Sequence, residues 1–110
     1  MKVSIILSTI DKEHERAFCD HLVKRRFAAC IERIDVTSVY WWEGRMWNGG
    51  EVSLIIKTLP ARLAACIKEI EKTHPYDCPQ IIVLEGDVPN KPYFGFLKDS
   101  VSIDKKGNLG

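Results

Sequence analysis

The stretch AACIERIDVTSVYWW, Ala28 to Trp42, followed by EGRMWNGGEVSLIIKT, Glu43 to Thr58, decides the fold. The first arm carries β-branched and aromatic residues throughout and neither Gly nor Pro, as a strand requires. At ~3.3 Å per residue, its fifteen residues reach ~50 Å when extended. A compact body of 110 residues has a radius of gyration of about 13 Å and a width of roughly 35 Å. The two arms therefore form a β-hairpin that outreaches its own globule, with Val39, Tyr40, Trp41, Trp42 and Trp47 standing in water. Exposed indoles on an open strand edge invite uncontrolled pairing unless a partner covers them. The sequence thus predicts an obligate oligomer whose subunits clasp each other's hairpins, with any site between subunits.

Outward from the hairpin, the flanking segments supply a globule. Val3 to Thr9 alternates as a strand, and Asp11 to Arg26 reads as a helix capped by Ser8 or Asp11. Phe18, Cys19, Leu22 and Val23 form its apolar stripe. Glu43-Gly44-Arg45 joins the hairpin arms, and Asn48-Gly49-Gly50 predicts a bulge or second bend before Val52 to Lys57. Pro60 opens a second helix with a stripe of Leu63, Cys66, Ile67 and Ile70, which His74-Pro75 ends. Gln80 to Leu84 is an apolar run suited to a strand buried on both faces. Asn90 and Pro92 open a last helix to about Ser100, and Ser102 to Gly110 is a polar tail. The order β-α-β-β-α-β is the α+β, ferredoxin-like sandwich, with helices on one face of an antiparallel sheet and a C-terminal helix added. Residues 1–110 are read as a single domain.

Composition excludes several classes. Sixteen basic and fifteen acidic residues leave a net charge of +1, spread along the chain, which gives no nucleic-acid footprint. The aromatic signature of RNA-binding domains that share this fold is also missing. The one dense basic run, Lys24-Arg25-Arg26, closes the first helix and complements its dipole. No apolar run approaches the ~20 residues of a membrane span. Met1-Lys2 leads directly into a strand without an apolar leader, so the expected compartment is the cytosol. Cys19, Cys30, Cys66 and Cys78 are then reduced, and they contain no C-x-x-C pair.

His74 is the most informative side chain. It opens the run His74-Pro75-Tyr76-Asp77-Cys78-Pro79, where two prolines stiffen the backbone and restrict the side chains between them. Either it belongs to a binding site, or it caps its own helix while Tyr76 packs on the sheet edge. Thiolate and imidazole together suit copper or zinc. Cys19 and Cys66 lie on buried stripes and Cys30 follows Ala28-Ala29, where small residues suit close packing, so Cys78, four residues after His74 with Asp77 beside it, is the better candidate ligand. His14 and His21 are too far apart along one helix to share an ion. Glu43 and Lys57 could bind an anion or form a salt bridge across subunits. Cys78 and His74 lack a visible oxyanion hole or base orienter, and no nucleotide-binding or zinc-protease motif occurs. No enzyme is expected, and no cofactor is required.

Four runs, LVKRRFAAC (22–30), VYWWEGR (39–45), EVSLIIKT (51–58) and HPYDCPQII (74–82), together resemble the CutA divalent-cation tolerance proteins. The similarity extends from about Val3 to Leu97. It implies a ferredoxin-like protein that forms a homotrimer through its long hairpins and is linked to tolerance of copper and other divalent cations, with metal binding in some members. It also implies a trimer like that of the PII signalling proteins, which bind nucleotides between subunits, and no established catalysis. Cys30, Trp42, Glu43, Lys57, His74 and Tyr76 fall on motif positions. Glu32 and Cys78 depart from the family's common residues.

Two functions follow as expectations. The first is a cytosolic homotrimer that binds a divalent metal, copper foremost, through His74, Cys30 and Cys78. The second is a PII-like module that takes a small anionic metabolite or nucleotide in an intersubunit cleft lined by Trp42, Glu43, Lys57 and Tyr76.

Overall fold

Strands β1 (Lys2–Ile10) and β3 (Arg45–Thr58) pair at the centre of a four-stranded antiparallel sheet in the computed structural model, which describes residues 1–103. Strand β2 (Cys30–Trp42) flanks β3, and β4 (Ile82–Asp87) flanks β1, giving the order β2-β3-β1-β4. With helices α1 (Lys12–Lys24), α2 (Pro60–Thr73) and α3 (Lys91–Ser100), this is the expected α+β ferredoxin-like arrangement. The polar tail from 104 onward lies outside the described residues.

The pleat sends alternate residues to opposite faces. Ile6, Ile10, Val52, Leu54 and Ile56 face α1 and α2, and with Phe18, Cys19, Leu22, Cys66 and Ile70 they form the main core. Val23, expected on that stripe, is exposed. Helix α3 does not join this layer. It packs on a second cluster of Val3, Ala29, Val88, Leu97 and Val101, and Val3 has the opposite strand parity to Ile6. The helices therefore do not all share one face.

Helix α1 ends two residues earlier than expected. Arg26 adopts φ 60°, its N–H donates to the Val23 carbonyl, and the Phe27 N–H donates to the Leu22 carbonyl. This is the paired closure that a left-handed residue makes at a helix C-terminus. The Arg26 guanidinium does not serve its own helix. It donates to the Asp99 and Ser100 carbonyls at the end of α3, at 3.3 and 3.2 Å.

The hairpin is one uninterrupted ladder from Cys30↔Lys57 to Trp42↔Arg45. The bulge expected at Asn48-Gly49-Gly50 is absent, because Val39, Ser38 and Thr37 pair with those three residues in register. The turn sits at Glu43 (φ 50°) and Gly44 (φ 76°), both in the left-handed region that tight two-residue hairpins require. Replacing Gly44 with alanine puts a Cβ into that conformation and is expected to cost about 1 kcal/mol, read as a lower urea midpoint.

The molecule spans 47 × 30 × 20 Å, so the hairpin does protrude. Trp41 is 70% exposed, and Tyr40, Trp42, Met46 and Trp47 are exposed with it. Strand β4 starts at Ile82 and is an edge strand, not the doubly buried one expected. Leu84 pairs with Ile5 and Ile82 with Leu7, on the sheet face away from α1 and α2. Ile34 lies on that same face, opposite Ser53. Ile34, Ile82 and Leu84 are each about half exposed (51, 48 and 49%). Beyond the part that α3 covers, the single chain thus leaves this aliphatic sheet face and its flanking edge exposed.

Candidate functional site: a cleft at the base of the hairpin

β1 ends where Ile10 meets Val52, so Glu51 is the first β3 residue beyond its cover. The turn after α2 folds against this point. His74 is buried there, edge-on to both Phe18 and Tyr76, with ring centroids 5.1 and 4.7 Å apart. Its Nε2–H donates to the Thr9 carbonyl at 2.8 Å, and its Nδ1 accepts the Tyr76 backbone N–H at 3.1 Å. Burial lowers its pKa below the ordinary 6.5, opposed by the bond to Thr9. The ring is a neutral cross-link between β1 and the turn, and both nitrogens are occupied. His74 does close its own helix, but through its backbone N–H, which donates to the Ile70 carbonyl at 2.8 Å, and not through the ring.

The cross-link sets the direction of Tyr76, whose hydroxyl donates to Glu51 Oε2 at 3.2 Å. Burial, and next the charge of Glu51, raise the Tyr76 pKa, so the phenol stays protonated. Tyr40, Trp42, Trp47, Glu51, Pro75, Tyr76, Asp77 and Cys78 then enclose a cleft of about 580 Å³. That volume falls within the ~300–1,000 Å³ of small-molecule sites. Trp42 and Tyr76, both expected in a cleft, meet here. Glu43 is at the hairpin turn, and Lys57 lies at the other end of β3, paired with Glu32 and opposite Cys30. The four do not share one cleft within a chain.

The expected metal ligands are also separated. Cys78 is an exposed free thiol on the cleft wall, and His74 is turned away into its own bonds. Cys30 is six residues along the ladder from the Val36↔Glu51 pair, about 20 Å at strand rise. Among the described residues, the three donor side chains gathered within 4.8 Å are instead Asp11, Glu13 and His14. His14 already contacts Asp11 there, at 2.7 Å. Glu51 was missed as a site residue. Its only sequence signal is a carboxylate opening the apolar run EVSLIIKT.

Residues 3–100 match the family model described as CutA1 divalent ion tolerance protein. The chain is 31% identical over 99 residues to Protein CutA 1, chloroplastic, of Oryza sativa subsp. japonica, covering 89% of this chain and 56% of that one. It therefore spans little more than half the length of the rice relative. It is 32% identical over 94 residues to the divalent-cation tolerance protein CutA of Thermococcus kodakarensis, covering 84% and 90%. The crystal structure of CutA1 from Pyrococcus horikoshii superposes with a TM-score of 0.85 at 31% identity, covering 90% of this chain and 98% of that one. No helix among the described residues is long and apolar enough to cross a membrane.

Proposed function

The chain belongs to the CutA1 divalent ion tolerance family, and on that premise we propose that it serves divalent-cation tolerance as a cytosolic homotrimer that binds a divalent metal, copper foremost. The role is one of binding, not catalysis. The observation that carries the metal reading is Cys78, a free exposed thiol sharing a cleft with the carboxylates of Glu51 and Asp77. Thiolate favours copper among the divalent ions. The two helix thiols are unsuited, since burial pushes Cys19 up to about 12 and Cys66 up to about 11. Cys30 and His74 would complete a site only as donors from a second subunit, and His74 only by surrendering a backbone bond. The uncovered sheet face and protruding hairpin support the trimer. Calorimetric titration with Cu(II) should show up to one ion per chain, with Cys78→Ser weakening it about tenfold or more, ~1.4 kcal/mol. No detectable Cu(II) binding, or binding unchanged in Cys78→Ser, would overturn the metal reading.

The aromatic cleft favours a second reading, a signalling module that holds a small metabolite there. An anionic metabolite or nucleotide would need Lys57 of another subunit, because no Lys or Arg lines the cleft within the chain.

A further inference from the structure

Three of the eight residues around the cleft are rings carried by the hairpin, Tyr40, Trp42 and Trp47, and two are carboxylates, Glu51 and Asp77. Glu51 is 8% exposed, yet it takes part in none of the ion pairs among the described residues. Among the described residues its one side-chain partner is the Tyr76 hydroxyl, which brings no opposite charge to the carboxylate. Burying a carboxylate without a counter-ion is unfavourable, so such a group marks a place suited to receiving positive charge. The faces of Trp and Tyr attract cations as well, through the negative potential over the ring. Trp47 already shows that preference within the chain, with the Arg45 guanidinium 5.7 Å from its ring centroid.

We infer that the cleft binds an organic ammonium ion, held between Trp42 and Tyr40 with Glu51 as its counter-charge. The cleft volume is far larger than a bare metal ion needs and matches a small organic molecule. The inference rests on the small-molecule reading of the cleft and changes its ligand class from anion to cation. Asp77, exposed at the rim, adds attraction of the same sign.

Calorimetry on the intact chain in its native assembly, in phosphate buffer free of amines, tests it with three probes. These are choline, its uncharged isostere 3,3-dimethylbutan-1-ol, and AMP. Choline should bind, with the isostere about tenfold weaker or more. Glu51→Gln should weaken choline by a similar factor while its circular dichroism stays native. Trp42→Leu, outside both core clusters, should weaken choline too and serves if Glu51→Gln does not fold. AMP binding without choline binding would overturn the cationic class and leave the small-molecule reading standing. Binding of none of the three would overturn both. Equal binding of choline and its isostere, or choline affinity unchanged in both variants, would overturn the charge-based recognition.

Discussion

Replacing His74 with alanine is expected to destabilise the fold by about 3–5 kcal/mol, the range of a large buried ring removed from a core. That total includes the two backbone groups that lose their partner at once, the Thr9 carbonyl and the Tyr76 N–H. The packing against Phe18 and Tyr76 disappears with the ring. Urea unfolding of the variant measures this directly. A loss below about 1 kcal/mol would refute the cross-link as described. The same residue makes stability depend on pH. Its folded pKa lies below the ordinary 6.5, so the unfolded chain binds more protons around that value. The stabilisation is complete above pH 6.5 and is lost as pH falls from there through the folded value. His14, beside Asp11 on the surface, is shifted up and so has the opposite sign. Comparing wild type with His74→Gln isolates the buried ring, and the variant should lack this acid-side decline.

The second large effect concerns the uncovered sheet face. The proposed trimer would bury Ile34, Ile82 and Leu84 against neighbouring subunits, and since each is already half covered in the single chain, each would contribute about 0.7–1.5 kcal/mol per chain. Leu84→Lys combined with Ile34→Glu removes two of these and adds charges that the assembly must desolvate. Sedimentation at micromolar concentration should show three chains for wild type and a single chain for the double variant. A double variant that still sediments as three chains would exclude this face from the interface. A wild type that sediments as one well-folded chain would remove the trimer altogether.

Much of the fold was legible because its signals are local. The arms of the hairpin, the Pro60 start of α2 and the stripe Leu63-Cys66-Ile67-Ile70 depend on near neighbours, and all three appear as read. Features set by distant residues were not legible. Asn48-Gly49-Gly50 has the composition of a bend, but its pairing with Thr37, Ser38 and Val39 holds it extended. The apolar content of Ile82-Val83-Leu84 does not say that it stands at an edge, which depends on sheet order. The site suffered most. His74 invited a ligand reading because its second partner, the Thr9 carbonyl, is 65 residues away in sequence. Glu51 escaped notice because its burial depends on a tyrosine 25 positions later. Lys57 and Trp42 occupy neighbouring motifs, yet the straight ladder sends them to opposite ends of the hairpin.

All three tryptophans of the chain, Trp41, Trp42 and Trp47, belong to the distal hairpin, and none lies in the core. Tryptophan emission therefore reports on the hairpin and the cleft it walls. A red shift on dilution would report separation of sister chains while far-ultraviolet ellipticity remained unaltered. In the proposed trimer the indoles are thus an optical gauge of association, set apart from both core clusters.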